Sequence, residues 1–131
     1  MASPQTIYAL SSGPLPAAIA IIRISGPSAS EALRLLGVKK LEPRKLVLTK
    51  LKPPKKEIID ISLVCYFPEK DSVTGEELVE LHLHGSIAVV DEAFLFLSSI
   101  KGFTPADPGE FTKIALIKRK MDLLEVEGLA D

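Results

Sequence analysis

The chain has few of the features that announce chemistry. It has a single cysteine, Cys65, in 131 residues. That excludes an internal disulfide and a zinc site built from several cysteines, and it fits a reducing compartment. No apolar run approaches the ~18 residues that a membrane span needs. The opening Met-Ala-Ser-Pro-Gln-Thr has neither the apolar stretch of a signal peptide nor the Arg-rich amphipathic character of an organelle presequence. The expectation is that a presequence was removed or never existed. There is no Gly-x-x-x-x-Gly-Lys-Ser/Thr phosphate loop, no Gly-x-Ser-x-Gly turn and no Cys-x-x-Cys pair, which leaves the common nucleotide, hydrolase and redox signatures unmet. Internal repeats and low-complexity segments are absent too. The formal net charge is only −1, so bulk electrostatics does not mark a nucleic-acid binder.

What is present suits one compact domain, or one with a short appendage. Hydrophobic residues make up 47% and charged residues 25%, a balance that excludes disorder. The charge is unevenly spread. Lys39, Lys40, Arg44, Lys45, Lys50, Lys52, Lys55 and Lys56 are set against only Glu42 within the run and Glu57 beside it. Such a run suits RNA phosphates, or equally a solvated loop and an edge strand that lysine keeps from aggregating.

Periodicity organises the rest. Gln5 to Leu10 reads as a short strand, and Ala17 to Ile24 as a buried one, nearly continuous in apolar and β-branched residues. Ser25-Gly26-Pro27 opens a helix carrying Ala29, Ala32, Leu33 and Leu36 at helical spacing, with Gly37 able to stop it. Lys45 to Lys52 is a strand, followed by a Pro53-Pro54-Lys55-Lys56 turn. Ile59, Ile61, Leu63, Cys65 and Phe67 then alternate with polar and apolar neighbours as a strand does. From Glu77 to His84 the alternation returns, with Val79, Leu81 and Leu83 facing one way and Glu80, His82 and His84 the other. A helix over about Ile87 to Ile100 follows, ended by Gly102. Asp107-Pro108-Gly109-Glu110 has the form of a helix start with a capping box. A last helix, begun at Asp122, reaches Asp131 without a stop signal, and the expectation is a chain cut there. The pattern predicts an α+β domain with a mixed or antiparallel sheet and flanking helices.

Three features carry possible chemistry. Arg23 sits near the end of a buried strand, where a guanidinium needs a carboxylate, a carbonyl or a ligand anion, or must reach solvent. The stripe Glu80, His82, His84 places neighbours about 6.6 Å apart on one strand face. It suits a polar pocket, a solvated face, or a metal site with Glu80 as third ligand. Lys113, Lys118, Arg119 and Lys120 concentrate positive charge near the last helices. Lys118 and Arg119 suit a helix C-terminus, and Lys120 could reach into a cleft.

Four segments together resemble the N-terminal domain of the MnmE/TrmE family of tRNA modification GTPases. They are Thr6-Ile7-Tyr8-Ala9-Leu10-Ser11, the stretch Ile19 to Pro27, the stretch Thr74 to Gly85, and Pro108-Gly109-Glu110-Phe111-Thr112-Lys113 with Lys120-Met121-Asp122-Leu123 and Val126 to Asp131. The resemblance implies a fold like the tetrahydrofolate-binding domains of one-carbon enzymes. It also implies a homodimer with a pocket for 5-formyltetrahydrofolate at the interface, and folate contacts at Arg23, Glu80 and Lys120. Residues 1–118 would then be the folate-binding, dimerising domain and 119–131 the start of a truncated helical domain. The family further implies GTP, potassium and magnesium in a GTPase domain missing here, so this piece would be inactive alone. A flavoprotein partner of the MnmG/GidA type and action on carbon 5 of the tRNA wobble uridine complete the implied function. No membrane association is implied.

The chain departs from the family pattern at Pro14-Leu15-Pro16-Ala17-Ala18, at Ser86, and over Ile114-Ala115-Leu116-Ile117-Lys118-Arg119-Lys120, all around the inferred pocket. Tyr8-Ala9-Leu10-Ser11 and Val126-Glu127-Gly128-Leu129 look organellar, which points to a mitochondrion, with the cytoplasm as the bacterial alternative. A structural dimer touching tRNA without folate is the rival function.

Overall fold

In the computed structural model the elements run β1 (Thr6–Leu10), β2 (Ile19–Ser25), α1 (Ala29–Leu35), β3 (Val47–Leu51), β4 (Asp60–Phe67), β5 (Leu78–His84), α2 (Ile87–Ser98) and β6 (Phe103–Pro105). Residues 5–69, 72, 74–117 and 119 are described, and a third helical segment occupies 110–117. The strands form one sheet in the order β3-β4-β5-β2-β1-β6. Neighbours pair antiparallel except β1 and β6, which are parallel. This is the α+β class with a mixed sheet that the sequence predicts.

Period-two alternation decides which face is buried. Ala20, Ile22 and Ile24 of β2 are fully buried, and Val79, Leu81 and Leu83 of β5 are at most 1% exposed. They share one core with Ala32 and Leu33 of α1 and Val90, Ala93 and Leu97 of α2, so both helices cover the same face. Each such Leu, Ile or Val contributes about 1.5–3 kcal/mol by leaving water. Burial of β2 is one-sided, contrary to the continuous apolar run: Ile19 is 57% exposed, because neither helix crosses the other face.

Local sequence explains the junctions. Gly26 has φ +147°, and a Cβ there would lie 2.5 Å from the Thr6 Cα, so only glycine lets β1 pass so close. Pro27 precedes the N-cap position, Ser28, rather than standing inside the first turn. Ser28 makes no side-chain cap; its own N–H donates to Thr6 Oγ1, and the Ser30 N–H and hydroxyl donate to Glu77 Oε2. A carboxylate thus borrowed from across the sheet satisfies a helix N-terminus. Tyr66 donates its hydroxyl to the other Glu77 oxygen at 3.0 Å, tying β4 to the same point. In α2 the cap is local: Ser86 Oγ accepts from the Val89 N–H at 3.1 Å. The segment at 110–117 begins as its sequence predicts, with Glu110 Oε1 accepting from the Asp107 N–H at 2.8 Å.

Candidate functional site at the uncovered sheet face

The face opposite the helices carries the polar stripe. Register places Ala9, Arg23, Glu80 and Cys65 in one row across β1, β2, β5 and β4, and Ile21, His82 and Leu63 in the next. Arg23 is therefore directly opposite Glu80. Its Nε donates to Glu80 Oε2 at 2.9 Å, while His82 Nε2 lies 3.0 Å from Glu80 Oε1. Glu80 is the most covered of the three side chains, 16% exposed against 43% for Arg23 and 21% for His82. Burial alone pushes the Glu80 carboxyl up. The hydrogen bonds from His82 and Arg23, with their charges, outweigh it and hold the carboxyl below the usual range. Glu80 is thus an ionised acceptor at neutral pH. Burial, reinforced by the Glu80 charge, pushes the neighbouring Cys65 thiol up, which leaves Cys65 a poor nucleophile.

Arg23 opens into a cavity of about 260 Å³, lined also by Thr74, Leu78, Phe111, Thr112, Ala115, Leu116 and Arg119. The helix at 110–117 supplies most of that wall. Two guanidiniums, two threonine hydroxyls and an aromatic ring suit an anionic ligand that carries a flat ring. The floor is fixed by Ser25 Oγ and Thr74 Oγ1 at 2.8 Å, and by the Gly26 N–H donating to the Glu77 carbonyl at 3.1 Å. Two larger grooves, about 520 and 580 Å³, flank α2. Neither contains an ion pair among the described residues, so the smaller cavity beside Arg23 is the better candidate.

The structure brings together two of the three residues expected to contact folate, Arg23 and Glu80. Lys120 lies outside the described residues, as does Lys118. His84 does not join them. Its Nδ1 lies 2.7 Å from Asp60 Oδ1, and its N–H donates to Asp60 Oδ2. The Glu80, His82, His84 stripe is therefore split between two carboxylates, and among the described residues no group of three His, Cys, Asp or Glu is placed to hold a metal. Strand spacing separates the two imidazoles, and each bonds its own acid. In the basic segment, Lys40 and Lys45 share Glu42 at 3.9 and 3.8 Å, and Lys50 lies on the edge strand β3. Sequence reasoning missed the Arg23–Glu80 and Asp60–His84 pairings, together with Phe111 and Thr74 as cavity wall. Only the strand register could have revealed the pairings.

The match to known proteins follows this geometry. The family described as "GTP-binding protein TrmE N-terminus" matches residues 6–120. The chain belongs to that family. The tRNA modification GTPase MnmE of Agrobacterium fabrum is 54% identical over 130 residues, covering 98% of this chain and 29% of the relative. The protein of that name from Bradyrhizobium sp. is 51% identical over 127 residues, with 97% and 29% covered. The one from Rhizobium meliloti is 48% identical over 132 residues, with 100% and 30% covered. The chain thus spans less than a third of the length of these curated relatives. The family match takes in every strand of the sheet and every residue lining the cavity beside Arg23.

Proposed function

We propose that this chain is the tetrahydrofolate-binding and dimerising part of a longer tRNA modification GTPase that acts on carbon 5 of the wobble uridine. The observation that carries the reading is the Arg23–Glu80 ion pair on the uncovered face, beside the cavity walled by residues 110–117. Tetrahydrofolate has pterin N–H donors that suit the ionised Glu80, and carboxylates that suit Arg23 and Arg119. Lys120 is the third expected contact. When bound, 5-formyltetrahydrofolate stands in for a one-carbon donor; the residues described here bind and orient it.

One copy encloses only part of such a ligand. A cavity of about 260 Å³ falls short of the ~300–1,000 Å³ usual for ligand pockets. A second copy completes the site. Leu48, Leu63 and Ile19, exposed on the same face at 68%, 38% and 57%, offer apolar surface for it. The reading takes residues 1–118 as this domain; the expected start of a helical domain at 119–131 lies, Arg119 apart, outside the described residues. GTP, potassium and magnesium belong to a nucleotide domain outside this chain, whose sequence has no phosphate loop. The partners are a flavoprotein of the MnmG/GidA type and tRNA. Placement in a mitochondrion is part of the proposal and rests on the sequence alone.

Calorimetric titration with 5-formyltetrahydrofolate tests the reading. Saturable binding is expected, weakened about 10- to 100-fold by Arg23→Ala, the scale of a lost charged hydrogen bond. No saturable heat from a folded dimer would refute it. The rival, structural dimerisation with tRNA contact, draws on the fact that Arg23 and Glu80 already satisfy each other. Salt-dependent tRNA binding without folate binding would favour that rival.

A further inference from the structure

We infer that His82 is a positioning residue of this site, the donor that fixes the plane of the Glu80 carboxylate for the N–H edge of a pterin-like ring. The inference rests on the folate reading above and goes beyond its three expected contacts. A glutamate carboxylate turns easily about its last torsion, which has broad minima. The Arg23 Nε anchors only Oε2, and a single anchor leaves the plane free to rotate. His82 Nε2, 3.0 Å from Oε1, is the second anchor. With each oxygen held by one protein donor, each keeps a further lone pair for a ligand. Two parallel ligand donors then meet acceptors already set in direction, which lowers the ordering cost of binding.

The surroundings of His82 keep it in that role. Ile21 of β2 and Leu63 of β4 flank it in its row, and its side chain is 21% exposed. A hydrogen bond between apolar neighbours is electrostatically stronger than one in water. Other ionisable groups nearby are Arg23 on β2, Cys65 on β4 and His84 on β5, and His84 is bound to Asp60. Glu80 is thus the acid available to His82. Because an ionised carboxylate can only accept, Nε2 is the donor to Oε1.

Two substitutions separate positioning from packing. His82→Leu keeps apolar contact with Ile21 and Leu63 and removes the donor, whereas His82→Gln keeps an N–H donor. In calorimetric titration with 5-formyltetrahydrofolate, His82→Leu is expected to bind about tenfold more weakly, and His82→Gln to stay within about threefold of the unaltered chain. On a Glu80→Gln background, His82→Leu should add no further loss, since the two residues act as one unit. Ligand-free carbon-13 NMR titration gives an independent readout: the Glu80 carboxyl should titrate at higher pH in His82→Leu than in His82→Gln. Unchanged binding by His82→Leu, a loss that adds in full on the Glu80→Gln background, or an unmoved Glu80 titration would each overturn the inference. If the unaltered chain does not bind, the folate reading falls and the positioning role falls with it. The carboxyl titration then still decides whether His82 holds Glu80.

Discussion

At the scale of single residues, the site is a carboxylate held between two donors. Glu80 titrates below the usual glutamate range because its bonds to His82 and Arg23 outweigh its burial. A depressed folded-state pKa adds stability that is present above the unfolded value and is lost as pH falls through the folded one. The unaltered chain should therefore lose more thermal stability than Glu80→Gln as pH drops below the ordinary glutamate range. Parallel melts from pH 7 to 3 check this, and identical slopes would contradict it. Cys65 gives a second test. With its thiol pushed up by burial and by the Glu80 charge, it should react with a disulfide reagent far more slowly in the folded chain than after denaturation; labelling at the denatured rate would contradict the assigned environment. Arg23 and Glu80 stand out in the sequence by residue type and alternation. Their pairing does not, because 57 positions separate them and only the register of β2 against β5 sets them opposite.

At the scale of elements, the turns and caps carry the information. Ser86, Glu110 and Gly37 stand at helix ends, whereas Gly102 lies past the Ser99 cap of α2, in the turn into β6. The strand β6 is not readable, since three residues are too few for period two to emerge and its partner β1 lies at the other end of the chain. One-sided burial of β2 is likewise invisible in a run apolar on both faces. Gly26 is the tightest junction. Gly26→Ala should cost about 2–3 kcal/mol in denaturant unfolding, through positive φ and the clash with Thr6. A loss below about 0.5 kcal/mol would show that the β1 crossing relaxes freely. The Asp107–Glu110 box holds the helix that walls the cavity, so Glu110→Ala should weaken the ligand along with the helix, by about 1 kcal/mol of local stability.

At the scale of the whole molecule, two helices on one side leave a sheet face with an ionised pair at its centre and apolar residues around it. That asymmetry makes the fold a platform, and the proposed occupants of the open face are a ligand and a second copy. Leu63→Glu would place a charge in the apolar surface beside His82, and should shift the chain toward monomer in sedimentation; an unchanged dimer would move the interface elsewhere. Fold class and family were legible because patterning and four motifs span the chain, whereas the cavity depends on the packing of residues 110–117, which no local pattern encodes. The most direct test of the central claim is a nitrogen-15 NMR titration of the chain with 5-formyltetrahydrofolate. Saturable shifts concentrated on Arg23, Glu80, His82 and residues 110–117 are expected. Shifts confined to the grooves beside α2, or none at all, would contradict it.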